Sequence, residues 1–292
     1  MFFKRGFNMF FNLIRFLLFF LVVNLSYGAN LTPNSSTNLP VNLSSPGGVR
    51  IMLLSDNLND KISANFYGKT VTIVKNNNKQ YALIGLPLKI KIGSHFINVY
   101  INNKKRVKKW FKVVYKKYKT QYITIKNKKF VNPGKMDYKK ITEDSKAIAV
   151  AKKHYDKDVV PNIPFSIPVK GIKTGSFGLR RFFNKQPRSP HGGMDIAAPA
   201  GTPIKAPSAG KIIEVGNYFF SGNCVFINHG QGLVSFYAHM SKIDVKVGDV
   251  VKQGDIIGQV GKTGRVTGAH LHWSIGLNGT WVDPQLFLKT GD

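Results

Sequence analysis

At 292 residues, the chain has room for two modest domains, each able to bury a core of its own. Lys and Arg number 43 against 14 Asp and Glu, which gives a formal net charge of +29. Such a balance indicates an anionic environment, for example an anionic envelope surface, or a base composition that makes Lys abundant throughout. No nucleic-acid-binding motif accompanies the charge, so no nucleic acid is expected as a partner. A single cysteine, Cys224, excludes an intrachain disulfide and a zinc site built from a cysteine cluster.

Residues 1–28 have the pattern of a secretory signal peptide. A basic start with Lys4 and Arg5 precedes the apolar run 16–23, and small residues lead to a possible cleavage after Gly28. The apolar run is shorter than the ~20 residues that span a bilayer, although an uncleaved anchor remains the alternative. The sequence therefore predicts an exported protein that is periplasmic or associated with the cell envelope.

The next part of the chain predicts an amino-terminal all-β module. Residues 29–46 are polar and lack a hydrophobic period, as expected of a flexible lead-in. Short alternating apolar runs separated by turn residues then favour a sandwich-like module over residues 47–130. Strands are predicted at residues 49–53, 70–74, 81–84 and 95–101.

The end of this module, residues 101–130, carries twelve Lys or Arg and no acidic residue. Trp110, Tyr115, Tyr118 and Tyr122 lie among these charges. One interpretation is a basic, aromatic face that binds a polyanion or a glycan strand. The other is a pair of strands whose outward face is lysine, and the sequence favours it because the cations alternate poorly with the aromatic residues.

A helical spacer and a second β domain follow. Residues 131–160 are predicted to form the spacer, with a helix over 137–155 where no Gly or Pro interrupts the sequence. Prolines then place the boundary near residue 160. Residues 161–292 predict a compact β-sheet domain with no helix longer than a turn or two. Its expected strands are 210–215, 225–228, 233–239, 256–260 and 270–275.

Two motifs in the second domain together offer a zinc ligand set. His191 and Asp195 lie four apart across a Gly-Gly loop, and His270 and His272 lie two apart in a predicted strand. The period of two directs both imidazoles of the strand to one face. Three histidines with a carboxylate are ligands that zinc prefers in catalytic sites.

A neighbouring predicted strand adds a further histidine. Ser235, Tyr237 and His239 alternate along it, which predicts that all three side chains join the same side of the sheet. Each histidine taken alone has the ordinary interpretation of a surface or hydrogen-bonded residue. His229, in an apparent Asn-His-Gly turn, is assigned to that class.

These residues resemble the lysostaphin/LytM-type zinc endopeptidase family. Residues 191–203 match its HxxxD signature, residues 237–240 resemble its second signature, and residues 261–273 resemble its HxH signature. The likeness runs from about residue 167 to 288. A looser similarity extends to a Gram-negative subgroup in which an amino-terminal β domain and a Gly-Leu-Arg-Arg run, here residues 178–181, precede the zinc domain.

The resemblance implies a role for each member of the motifs. One Zn²⁺ per chain would be bound by His191, Asp195 and His272, and His239 and His270 would handle protons at the metal. The implied fold is a LytM-type β-sheet peptidase domain, and the implied activity is hydrolysis of the peptide cross-links of peptidoglycan in cell-wall remodelling. Stem peptides would be the substrate, and their free carboxylates suit a basic protein.

Two hypotheses compete on function. The first is the exported zinc endopeptidase just described. The second is a non-enzymatic LytM-type activator of cell-wall amidases, since degenerate relatives of this kind lack ligands; the complete ligand set here argues against it. A separate hypothesis holds that the amino-terminal module keeps the catalytic cleft closed until the protein meets the wall.

Overall fold

A computed structural model describes residues 39–103 and 105–289, without the side chain of Lys105. The predicted signal peptide at residues 1–28 and part of the predicted lead-in lie outside the described residues. Among the helices that are described, none is both long enough and apolar enough to cross a membrane. The described chain is mainly β with one α-helix, which confirms the predicted fold class.

The amino-terminal part is a β-sandwich. Its strands are, in chain order, β1 Val49–Ser55, β2 Ile62–Phe66, β3 Lys69–Thr70, β4 Thr72–Asn76, β5 Lys79–Gly85, β6 Gly93–Ile101, β7 Lys105–Val113 and β8 Thr120–Ile123. A three-stranded sheet has the order β1–β5–β4, and a four-stranded sheet has the order β3–β2–β6–β7. Apolar residues of both sheets share one core, so the predicted sandwich is confirmed.

The three-stranded sheet β1–β5–β4 is buried on both faces. On β5, Ala82 and Ile84 belong to the core of the sandwich, whereas Leu83 belongs to the core of the carboxy-terminal part. Val49 and Val74, on the flanking strands, join Leu83 there. Successive side chains of a strand alternate between faces, so one sheet contributes to two cores and joins the two parts of the chain.

The α-helix α1, Lys135–Lys152, lies between the two parts in sequence. It begins after Gly134, whose N–H donates to the Asp137 carboxylate at 3.1 Å, so a negative charge lies in the first turn where the helix dipole favours it. Ala151 packs with Phe226 and Phe236 in a third apolar cluster. The helix therefore covers part of the large sheet described next.

The carboxy-terminal part has thirteen strands among the described residues, and eight of them form one large sheet. Its strands are β9 Ile172–Gly175, β10 Arg180–Phe183, β11 Gln186–Pro187, β12 Met194–Ala197, β13 Pro203–Lys205, β14 Gly210–Tyr218, β15 Gly222–Gly230, β16 Leu233–Met240, β17 Lys242–Ile243, β18 Val250–Val251, β19 Ile256–Gln259, β20 His270–Leu277 and β21 Thr280–Val282. The sheet order is β18–β14–β15–β16–β20–β12–β9, and β21 pairs with β20.

Two small sheets complete the fold, and 3-10 turns lie at Lys128–Phe130 and Pro284–Phe287. One sheet has the order β13–β19–β17 and the other β11–β10–β8. In the second sheet β8 runs parallel to β10. The strand that ends the amino-terminal part thus pairs with one from the carboxy-terminal part.

Several predicted element bounds differ from the structure. The strand predicted at residues 70–74 is broken at Val71, because the chain leaves the four-stranded sheet there and enters the three-stranded one. The helix predicted at 137–155 begins at Lys135 and ends at Lys152. Strands β9 to β13 were not predicted, since each has at most four residues and shows no full hydrophobic period.

Candidate metal centre

Strand pairing brings the two predicted motifs together. Strand β12 lies beside β20 in the large sheet, and their register places Asp195 directly opposite His272. Side chains at such paired positions share one face and lie close together. His191 comes just before β12, in the loop that leads into it, and its side chain is buried.

Three possible ligand atoms meet at this point. Asp195 Oδ1 lies 2.8 Å from His272 Nδ1 and 3.0 Å from His191 Nε2, and the two ring nitrogens are 3.0 Å apart. His191, Asp195 and His272 are the group in the described residues that could hold a metal ion. A donor set of two histidines and one carboxylate is of the kind that suits a catalytic zinc.

The two histidine side chains are each held by a second hydrogen bond away from the meeting point. His191 Nδ1 donates to the Ser176 carbonyl at 2.8 Å. His272 Nε2 lies 2.9 Å from Ser274 Oγ. Because Nδ1 of His191 donates to a carbonyl, the lone pair of Nε2 in the neutral ring faces the Asp195 carboxylate. When His272 Nε2 donates to Ser274 Oγ, His272 Nδ1 also presents a lone pair, and three acceptors within 3.0 Å of one another would then suit a bound cation.

The pKa values of His272 and Asp195 are both shifted toward the protonation states that bind a metal. Burial lowers the pKa of His272 to about 4, although the bond to Asp195 opposes the shift. Burial would raise the pKa of Asp195, but the close contacts with His191 and His272 outweigh it and hold that pKa well below its usual range. A neutral imidazole and an ionised carboxylate are the forms that bind a metal.

His239 reaches the same site through a β-bulge. Val225 pairs with Tyr237 and Asn223 with Met240, so two residues of β16 lie opposite one residue of β15. His239, in the bulge, has a left-handed φ of 67°. The bulge breaks the alternation of β16 and turns this imidazole toward His270, with ring centroids 4.8 Å apart.

The predicted convergence of Ser235 and Tyr237 with the histidines is wrong. The register pairs Phe236 and Ala238 with Ser274 and His272, so these residues share the face of the site. Ser235 and Tyr237 therefore point to the opposite face. A strict period of two predicted the wrong set because it did not include the bulge.

On that opposite face Ser235 and Tyr237 meet His229. The imidazole is buried, contrary to the predicted turn, and lies within β15. Its Nδ1 donates to the Ala209 carbonyl at 2.8 Å, and its Nε2 lies 2.7 Å from Ser235 Oγ. Ser235 Oγ in turn lies 2.8 Å from Tyr237 Oη.

His239 and His270 are held alike. His239 Nδ1 donates to the Thr263 carbonyl at 2.8 Å, and His270 Nδ1 donates to the Gly268 carbonyl at 2.9 Å. In each ring the Nε2 atom is left for another partner, and His270 Nε2 lies 3.9 Å from Asp195 Oδ1. Burial, followed by the nearness of His272 and His270, lowers the pKa of His239 to about 3, so this ring is neutral at pH 7.

Two glycines make room for the centre. A Cβ at Gly193 would lie 2.4 Å from Ser274 Oγ and 2.8 Å from His272 Nε2. A Cβ at Gly175, on β9, would lie 2.5 Å from Asp195 Oδ2. Each of these three distances is too short for a real Cβ contact, so a side chain at either position would displace a member of the centre.

Arg181 is a site residue that the sequence did not single out, although it lies in the Gly-Leu-Arg-Arg run. Its Nη2 donates to Asp195 Oδ2, the carboxylate oxygen that faces away from the two histidines. Its Nε donates to the Gln121 side chain at 3.1 Å. Gln121 belongs to β8, which pairs with β10. The amino-terminal part thus supports a residue that orients Asp195.

Comparisons with known proteins agree with this arrangement. Residues 189–284 match the profile of peptidase family M23, and residues 42–116 match that of the peptidase family M23 N-terminal domain. A crystal structure from Pseudomonas aeruginosa, assigned to peptidase M23, is 36% identical and superposes with a TM-score of 0.72. The alignment covers 85% of this chain and 96% of that one. The chain belongs to peptidase family M23.

Membership confirms the resemblance that the three motifs carried. Among curated M23 relatives, the Vibrio cholerae peptidoglycan DD-endopeptidase ShyA is 44% identical over 95 residues, which is 32% of this chain and 22% of ShyA. The Neisseria meningitidis DD-carboxypeptidase/endopeptidase Mpg is 45% identical over 94 residues, again 32% of this chain and 22% of Mpg. The matches therefore span about a fifth of the length of these relatives.

Proposed function

We propose that this M23 protein is an exported zinc endopeptidase that hydrolyses peptide cross-links of peptidoglycan during cell-wall remodelling. The observation that carries the proposal is the convergence of three possible ligand atoms of His191, Asp195 and His272 within 3.0 Å, each side chain held by an outer hydrogen bond. Such a donor set fits one Zn²⁺ per chain.

The chain's own residues divide the work around that ion. When bound, zinc supplies a Lewis acid that polarises a carbonyl and makes water a better nucleophile near pH 7. His239 and His270 each have Nδ1 tied to a backbone carbonyl, which leaves Nε2 to take or give a proton. A neutral ring at either position could take a proton from the attacking water, and the protonated ring could return it to the leaving amine.

The names of the relatives support peptidoglycan as substrate. ShyA from Vibrio cholerae is named a peptidoglycan DD-endopeptidase, and Mpg from Neisseria meningitidis is named a DD-carboxypeptidase/endopeptidase. We infer the same class of bond for this chain, a peptide bond of the cross-link. The predicted signal peptide agrees with a substrate outside the cytoplasm, and a periplasmic or envelope-associated location is part of the proposal.

The proposal is tested by digesting purified sacculi with the protein and identifying the released muropeptides by mass. We expect cross-linked dimers to fall and monomers to rise, with one zinc per chain by elemental analysis. The variants His191→Ala and His272→Ala should lose both zinc and cleavage while keeping the circular dichroism of the parent. Unchanged zinc content and products in both variants would contradict the assignment.

An amidase activator remains the competing function, and the same digestion separates it. An activator leaves sacculi intact by itself and increases the release of stem peptides only when an amidase is added. The complete His-Asp-His set, with His239 and His270 beside it, favours the enzyme because a regulator has no need of these five side chains.

Closure of the cleft by the amino-terminal module stays a hypothesis. A fragment starting near residue 160 is a poor test, because Val49, Val74 and Leu83 share the core of the catalytic part and their removal would expose it. Tyr122→Ala is milder, since this ring is exposed and stacks on Phe182 of β10 at 5.0 Å. Faster cleavage of sacculi by this variant supports closure by β8, and an unchanged rate rejects it.

A further inference from the structure

The outer face of the four-stranded sheet β3–β2–β6–β7 carries a set of side chains that the catalytic site does not use. On β6, Ile97 and Val99 are buried in the sandwich core, so Phe96 and Asn98 face outward. The register places Phe96 opposite Trp110, which is 60% exposed. An indole this exposed on a folded sheet is more typical of a binding surface than of a core.

Three cations of β7 lie on this same face. The sequence favoured strands with an outward face of lysine, and the period of two places Arg106, Lys108 and Lys112 on one side of the strand together with a single aromatic residue, Trp110. Lys108 Nζ lies 4.7 Å from the centroid of the Phe96 ring. Positive charge therefore flanks the indole in both directions along β7.

A cleft of about 230 Å³ opens beside these residues. Pairing between β2 and β6 ends at Asn65 and Asn98, and the turn from β2 to β3 then leaves the sheet. Tyr67 lies in that turn with a left-handed φ of 48°. Its hydroxyl bonds to His95 Nδ1 at 2.7 Å, which holds the turn in place as one wall of the cleft.

The walls combine aromatic rings with amide groups. Phe96 and Trp110 line the cleft together with Tyr67, and the Phe96 and Trp110 ring centroids lie 4.8 Å apart with planes inclined by 55°. Asn65 and Asn98 also line the cleft. The Arg106 guanidinium donates to Asn98 Oδ1 at 3.1 and 2.9 Å, so the amide NH₂ of Asn98 points away from it.

We propose that this cleft and the face around it bind a sugar unit of an acidic glycan strand. The apolar face of a sugar ring packs against Trp110 and Phe96, because both surfaces leave water when they meet. Asparagine amides donate to hydroxyl or acetamido oxygens. Lys108 and Lys112 attract carboxylates carried by the sugars. The choice of the cell-wall glycan as this strand rests on the proposed function.

This site would hold the glycan backbone while the catalytic centre acts on the peptide. The two predictions are separable, because a glycan strand stripped of its stem peptides by an amidase offers nothing to hydrolyse at the metal centre. Removal of a stem peptide by an amidase frees the sugar carboxylate to which the peptide was attached, so such strands are acidic. They are therefore the probe for this face, used with the full chain in its metal-loaded form.

The test is binding of these peptide-free strands to the parent protein and to Trp110→Ala. We expect the dissociation constant to rise at least 10-fold in Trp110→Ala. Tyr115→Ala serves as the matched control, since Tyr115 is exposed and lies outside the cleft, and its binding should equal that of the parent. Lys108→Gln should weaken binding of the acidic strands more than that of neutral N-acetylglucosamine oligomers.

Three outcomes decide the proposal. Weaker binding in Trp110→Ala with unchanged cleavage of a short soluble cross-linked peptide supports a separate glycan site. Equal binding of strands by Trp110→Ala and the parent overturns it. Single-stranded DNA bound as tightly as the strands also overturns it, because the face would then be a nonspecific anion-binding surface. Loss of endopeptidase activity in any variant leaves the binding result as it stands.

Discussion

The large sheet carries a buried polar cluster with histidine on each of its two faces, and one of these clusters has a ligand set that could hold a metal. On one face His191 and His272 meet Asp195; on the other His229 meets Ser235 and Tyr237. Burial lowers the pKa of His272 and that of His229 alike, each to about 4. Burial and a low pKa therefore do not distinguish a metal site from a structural network.

The two clusters differ in whether each contact between polar atoms has a hydrogen to share. His229 passes its hydrogen bonds along a chain of hydroxyls that can each both donate and accept, so every group is satisfied without an ion. His191 Nε2 and Asp195 Oδ1, by contrast, are both acceptors 3.0 Å apart when the His191 ring is neutral, because its Nδ1 donates to the Ser176 carbonyl. This close pair of acceptors, more than the presence of histidine, sets the face of the candidate metal centre apart.

The largest effect that tests this contrast is expected from His272→Ala. Loss of one of three ligands should remove the metal and lower cleavage of sacculi by roughly 10³-fold or more, since several kcal/mol of transition-state stabilisation depend on the ion. His229→Gln is the matched change on the other face and should keep a full complement of zinc. Metal content by elemental analysis is the measurement, and zinc loss from both variants alike would erase the distinction.

The next effect concerns the two histidines tied to backbone carbonyls. His239→Gln and His270→Gln should each lower kcat by about 10²–10⁴-fold, the usual contribution of general acid–base catalysis, while zinc stays bound. Rates on sacculi and zinc content are measured on the same preparation. Loss of zinc in either variant would show that the residue is a ligand instead of a proton carrier.

A smaller effect is expected from the residue that connects the amino-terminal part to the centre. Arg181→Gln removes the donor to Asp195 Oδ2 and should weaken zinc binding by about 10–100-fold, as changes in the outer partners of ligands commonly do. Competition with a chelator gives the affinity. Arg180→Gln, an exposed neighbour on the same strand, should bind zinc as the parent does, and equal affinity in all three proteins would refute the role.

The smallest effect is one on stability alone. His229→Gln should lower the free energy of unfolding by about 1–3 kcal/mol at pH 7, because a buried hydrogen-bond network loses its fit. His229 has its pKa lowered to about 4 by burial, below the ordinary 6.5. As pH falls below 6.5, the unfolded chain gains a proton that the folded parent does not.

As pH falls from 6.5 toward 4, the titration of His229 therefore lowers the free energy of unfolding of the parent by about 1.4 kcal/mol per pH unit. The variant lacks this loss. The difference in free energy of unfolding between parent and variant, measured by denaturant titration, should therefore become smaller over that pH range. His154→Gln, at an exposed position, is the control and should follow the parent at every pH. A gap that stays constant would contradict a neutral, buried His229.

Motif spacing was enough to predict which five residues to examine, and local pattern was enough to predict a mainly β chain with one helical spacer. His270 and His272 share a face because a strand has a period of two, a property that the sequence alone expresses. The three motifs in their order predicted the family to which the chain belongs.

Other features were decided only by the tertiary structure. His239 joins the centre through a bulge in β16, and Arg181 joins it because β10 pairs with β8, a strand about 60 residues earlier. Likewise, Ser235 and Tyr237 lie on the other face from the site that alternation assigned to them. The physical reason is the same in each case. Alternation along one strand is a local property, whereas a bulge, a register and a long-range pairing depend on partners that are distant in the sequence.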